Sequence, residues 1–145
     1  MARPEPEVHV NGALAGLPSW VIDATVRQVL RRERRDASVH VTFVGKRVMS
    51  RLNHRYLGHR GPTDVLSFPL LQRDGGVAGD IYICRYAAAR NARDHGAAVR
   101  HELLRLVVHG TLHLLGCEHP AGAGRTRSAM WHRQERHLAS LAWLN

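Results

Sequence analysis

The chain of 145 residues predicts an α+β fold, a small mixed sheet of about four strands covered by helices, with one central helix carrying metal-binding histidines. Two observations predict the class. Short alternating, β-branched runs interleave with helical repeats through the first 96 residues, and helices dominate afterwards. The stretch 97–115 is then long and apolar enough, through Leu103, Leu104, Val107, Val108, Leu112 and Leu115, to be packed on several sides. Neither an internal repeat nor a Gly/Pro/Ser-rich linker divides the chain, so residues 1–145 are expected to form a single domain.

Residues 1–6 contain two prolines and read as a lead-in, and Glu7–Asn11 alternates as a short strand, suited to a sheet edge. Leu17-Pro18-Ser19 opens a helix running to about Arg35, with Ile22, Val26, Val29 and Leu30 at helical spacing. Its tail, Arg31-Arg32-Glu33-Arg34-Arg35, is either a solvated face or an RNA backbone contact. Val39–Val44 is a strand, and Gly45 leads to a helix from Lys46 to about Leu57 whose Val48, Met49, Leu52 and Tyr56 form a core stripe. After the loop 58–62 comes Thr63-Asp64-Val65-Leu66-Ser67-Phe68-Pro69, a strand expected to stop at its proline. Residues 72–78 are turn-rich, Gly79–Ile83 is a strand ending on a packed Cys84, and Arg85–His95 is a helix ended by Gly96. Pro120–Gly124 breaks the chain, and Thr126–Leu144 closes it as an amphipathic helix.

Composition limits the function. There is no apolar run of the ~18 residues needed to cross a bilayer, and the N-terminus lacks the basic-then-apolar pattern of a secretion signal. Cys84 and Cys117 are far apart and form no C-x-x-C pair, which fits free thiols in a reduced cytoplasm. The net charge is +9, and arginine supplies all cations but Lys46. Guanidinium groups suit RNA phosphates and bases, although a GC-rich genome also favours arginine over lysine. The imbalance of sign is better evidence for a polyanionic partner than the choice of cation.

The chemistry lies in His109-Gly110-Thr111-Leu112-His113-Leu114-Leu115-Gly116-Cys117-Glu118-His119. On a helix, residues four apart share a face, so His109 and His113 can aim both imidazoles at one point. Gly116 can take positive φ and end the helix, and the reversed chain brings His119 back as third ligand. Three protein nitrogens and an open fourth position describe a catalytic zinc site. Metzincin proteases share the spacing, but the glutamate that serves them as general base is here Gly110. Glu102, two helical turns before His109, is about 10 Å from it along the axis and reads as structural.

The string is similar to the YbeY family signature H-G-x-L-H-L-x-G-x-D-H, with Glu118 where aspartate is usual. Leu52, Asn53, Tyr56 and Pro62 through Pro69 match a second family element, and Gly79-Asp80-Ile81-Tyr82-Ile83 a third. The chain therefore resembles the metal-dependent endoribonucleases of bacterial rRNA maturation over roughly residues 39–143. The resemblance implies a single-strand-specific, zinc-dependent ribonuclease with one Zn2+ per chain on His109, His113 and His119. It further implies ribosomal RNA and the small subunit as partners, in 3′-end processing and quality control, without membrane or DNA. Asp64, Ser67 and Asp80 would line the cleft, and Met130 matches a family methionine near the metal. Cys117 is expected to be a spacer, and His54 and His59 to be solvent-exposed.

Leu57 departs from the pattern, standing where the family usually has an arginine proposed to assist cleavage. Arg55 is rotated by about 200° from it on the helix, whereas Arg60 lies in a flexible loop and is the expected catalytic substitute. Two other classes remain open: a metzincin-like zinc hydrolase of another bond with Glu118 as base, and a non-catalytic ribosome-assembly protein with a structural metal.

Overall fold

The computed structural model describes residues 6–12, 16–71, 76–118, 124 and 128–144. Their order is β1 (Glu7–Asn11), α1 (Ser19–Arg32), β2 (Ala37–Val44), α2 (Lys46–Leu57), β3 (Val65–Leu71), β4 (Val77–Cys84), α3 (Arg85–Asp94), α4 (Val99–Leu114) and α5 (Ala129–Ala139), then a 3-10 turn, Ala142–Leu144. The sheet order is β1-β2-β4-β3. β1, β2 and β4 are parallel, and β3 runs antiparallel at the edge beside β4. The mixed α+β architecture with four strands is the one expected, and β1 lies at the opposite edge.

Period-two alternation sorts the strands. Val39, Val41 and Phe43 of β2, with Ile81 and Ile83 of β4, face a core shared with Ile22, Val26 and Leu30 of α1 and Leu103, Leu104 and Val107 of α4. The other sheet face is covered at one end by α2, where Met49 packs with Leu66, Cys84 and Ala87. α4 touches α1, α3, α5, β3 and β4 and is the hub of the fold. Its apolar residues occupy most of its circumference, as a helix enclosed by neighbours requires.

Several expectations are corrected. α1 stops at Arg32, three residues early, because Arg34 adopts φ 55 and reverses the chain. The backbone N–H groups of Arg34 and Arg35 close on the carbonyls of Arg31 and Leu30, a C-terminal motif usually built on glycine. β3 does not end at Pro69 but continues to Leu71, since an edge strand tolerates a residue that donates no hydrogen bond. On α2 only Met49 of the expected stripe is fully buried; Val48 and Tyr56 are exposed and Leu52 is half-buried. α5 begins at Ala129 on a Ser128 cap and ends at Ala139. The expected chain break at Pro120–Gly124 lies, apart from Gly124, outside the described residues. Among the described residues no helix is long and apolar enough to cross a membrane.

Candidate metal centre and its groove

The sixteen-residue helix α4 ends where its histidines are. Gly116 takes φ 94, and the N–H groups of Gly116 and Cys117 reach the carbonyls of His113 and Leu112 at 3.0 Å. This glycine-centred stop satisfies the last orphan carbonyls and turns the chain back immediately beyond His113. One turn apart, His109 and His113 bring their ring centroids to 4.6 Å. His109 is buried and His113 half-buried, so the pair spans the boundary between core and solvent.

The buried ring is oriented from α5. His109 Nδ1 is 2.7 Å from Gln134 Oε1, while Gln134 Nε2 donates to a carboxylate oxygen of Glu135 at 3.2 Å. A carboxylate only accepts, so the amide nitrogen must face Glu135 and the amide oxygen must face His109. Nδ1 therefore carries a proton, which leaves Nε2 as the lone-pair nitrogen whenever the ring is neutral, the form that ligates a metal. Glu135 is itself held by Arg105, at 3.0 Å, and Arg105 also meets Glu102 at 2.7 Å. Burial alone would lower the guanidinium pKa, but hydrogen bonds to Glu135 and Glu102 outweigh it and hold Arg105 above its ordinary value. Glu102 is thus a structural carboxylate at the far end of a relay that ends on His109.

His109 and His113 face a groove of about 530 Å³ that runs along β3. Asp64, Ser67, Phe68, Leu57, Cys117 and Glu118 line it with the two histidines. A second cleft of about 430 Å³, bordered by Asn91, Trp131 and Gln134, shares Asp64 and His109 with the first. Asp64 accepts a hydrogen bond from Asn91 at 3.2 Å and stands between the two. Met130 packs beneath the histidine turn against Val108 and Leu112. Asp80 lines neither cleft. His54, His59 and Arg60 are exposed, and Arg60 is not among the groove-lining residues, whereas Leu57 is. His119 lies outside the described residues, and among those described no three potential ligand side chains converge.

Gly110 has a reason of its own. A Cβ there would lie 2.7 Å from Ile81 Cγ2 and 3.2 Å from Ser67 Oγ. Ser67 Oγ also donates to the Gly110 carbonyl at 3.1 Å, tying helix to strand. The position that holds a general base in metzincins thus faces the sheet, and helix and sheet approach too closely for any side chain. Sequence reasoning missed Gln134, although a signal existed: Met130, Gln134, His137 and Leu138 share the buried face of α5, two of them polar. Polar residues on a buried helical face need specific partners.

A sequence profile described as Endoribonuclease YbeY matches residues 14–142. The chain belongs to that family. Among relatives, the Endoribonuclease YbeY of Thermotoga sp. (strain RQ2) is 34% identical over 113 residues, covering 78% of this chain and 73% of that one. That of Chloroherpeton thalassium is 32% identical over 126 residues, covering 86% and 87%. A solution structure of a Thermotoga maritima protein superposes with a TM-score of 0.63 at 30% identity, covering 90% of this chain and 86% of the other. The similarity to the solved structure covers the fold over most of both chains.

Proposed function

We propose that this protein is a zinc-dependent endoribonuclease that cleaves single-stranded RNA in the groove between β3 and the end of α4. The observation that carries the reading is the Gln134 hydrogen bond to His109 Nδ1, which prepares Nε2 as a ligand at the floor of the groove. His109, His113 and His119 are the proposed ligands of one Zn2+. When bound, zinc supplies Lewis-acid chemistry to the phosphodiester and its attacking nucleophile. The chain's own groups do the rest. Gln134 holds the ring of His109, Asp64 and Ser67 border the strand-binding wall, and β3 limits access to an extended chain. Leu57 removes a cation from the wall, and Arg60, on the loop joining α2 to β3, is the proposed group that compensates charge at the phosphate.

By family, the substrate is proposed to be ribosomal RNA in the cytoplasm, at the 3′ end of the small-subunit rRNA and in ribosome quality control. The contact of Gly110 with Ile81 leaves no room for a base at the metzincin position; the alternative of a hydrolase with Glu118 as base, a residue that lines the groove, is separated by a casein assay. Zinc analysis combined with cleavage assays on single-stranded RNA and on casein tests the proposal. Wild type is expected to hold about one zinc, to cut RNA and to leave casein intact, and mild acidification should release the metal as protons compete for the imidazoles. His113→Ala should lose most of the metal and the cleavage. Equal zinc in the two proteins would refute the ligand assignment.

A further inference from the structure

The molecule's positive charge is unevenly compensated. Arg27 pairs with Asp23, Arg105 with Glu102 and Glu135, and Arg133 with Glu33. α2, by contrast, carries Lys46, Arg47, Arg51 and Arg55 and no carboxylate at all. All four cations are exposed. Arg47, Arg51 and Arg55 recur every four residues, which sets them on one stripe with steps of about 6 Å along the axis. That stripe lies opposite buried Met49 and points to solvent. A solvated helix face usually mixes both signs, with i, i+4 pairs that support the helix; four cations without an acid repel one another and weaken it.

An aromatic cluster adjoins this stripe on the outer face of the sheet. Tyr56 is 55% exposed, and its ring centroid is 5.2 Å from that of Phe68, which in turn is 5.9 Å from Tyr82. The Arg55 guanidinium stands 5.5 Å from the Tyr56 ring. Phe68 also lines the groove that His109 and His113 face. The order Arg51, Arg55, Tyr56, Phe68, groove is therefore continuous. Cations beside exposed aromatic rings are how proteins hold single strands: guanidinium groups take phosphates while bases stack on the rings, with little regard to sequence. A duplex offers no unstacked base to such rings.

We infer that the outer face of α2 and the Tyr56–Phe68 cluster form a track that delivers single-stranded RNA over the β3 edge into the groove. The inference rests on the ribonuclease reading above and deepens it. It explains how a groove whose wall carries Leu57 can still serve a polyanion: affinity is supplied outside the groove, along the helix.

The test measures binding of a fluorescent oligouridine by the chelated, cleavage-inactive protein across a salt series. Arg51→Glu/Arg55→Glu should weaken binding at least tenfold and reduce the slope of log affinity against log salt by about 1.4, two phosphate contacts at about 0.7 each. Arg31→Glu/Arg32→Glu, with the same charge change at the end of α1, should weaken it less than threefold. Tyr56→Leu should weaken it about fivefold or more without changing the salt slope, and thermal unfolding should show all variants folded. Equal losses from the two arginine pairs would mean that net charge alone acts, and would overturn the track. An unchanged affinity for Tyr56→Leu would overturn the stacking site. If wild type cuts RNA while the α2 variants bind as it does, the track is wrong and the ribonuclease reading stands; if wild type neither binds nor cuts RNA, both fall.

Discussion

Replacing Gly110 by alanine tests whether helix and sheet are held at the separation that builds the site. The added carbon would sit 2.7 Å from Ile81 Cγ2, about 1 Å inside ordinary carbon–carbon contact. Ile81 is fully buried in the middle of β4 and has nowhere to turn. Overpacking of this kind costs about 1–3 kcal/mol, and the better helix propensity of alanine returns up to about 1 kcal/mol. With alanine's full return the net loss is roughly 0–2 kcal/mol, which lowers Tm by up to roughly 8 °C for a chain of this size. Relief of the clash should move α4 away from the strand and loosen the Ser67 hydrogen bond to the Gly110 carbonyl. The assay is thermal and urea unfolding of chelated protein, so that metal binding does not enter. Ile81→Ala removes both nearby isoleucine atoms, and the double variant should lose at least about 1 kcal/mol less than the sum of the singles. A Tm that rises in Gly110→Ala, or losses that add within about 0.5 kcal/mol, would refute the close-packing argument. By the same geometry, Gly110→Glu completes the metzincin string but is expected to show no casein hydrolysis.

Two further outcomes are expected. Gln134→Leu keeps the volume but removes the acceptor of the His109 Nδ1 proton, and should weaken zinc affinity about 10–100-fold in a competition titration; unchanged affinity would show that the amide does not orient the ring. Arg60→Ala should lower the RNA-saturated cleavage rate about tenfold, a loss of ~1.4 kcal/mol of transition-state stabilisation, while Arg55→Ala leaves that saturated rate nearly unchanged. If Arg60→Ala cuts as fast as wild type and Leu57→Arg cuts faster, the chain has no substitute for the family's arginine.

Much of this protein was legible in the residues because the relevant physics is local. Helical spacing decided that His109 and His113 share a face, and Gly116 marked the stop, since a left-handed turn after a helix favours glycine so strongly. Alternation in Val39–Val44 and Gly79–Ile83 located two of the strands for the same reason: a sheet with one buried face requires it. Where local rules mislead, a tertiary partner has intervened. Arg34 ends α1 in a glycine-like conformation that no sequence signal marked, because the chain must turn there to enter β2. Pro69 stays in a strand because β3 lies at an edge, and strand order is not written in a strand's own residues. Tyr56 has the spacing of a core residue yet is exposed, its ring set beside Phe68 of the edge strand rather than in the core. Gln134 is separated from His109 by 25 positions, and only the packing of α5 on α4 brings the amide to the ring. The sequence alone determined which histidines share a helix face, where the helix stops and how large the excess of positive charge is; the tertiary structure decided which ring nitrogen faces Gln134, which glycine is pressed against the sheet and which face of α2 presents its cations, because those are properties of neighbours distant along the chain.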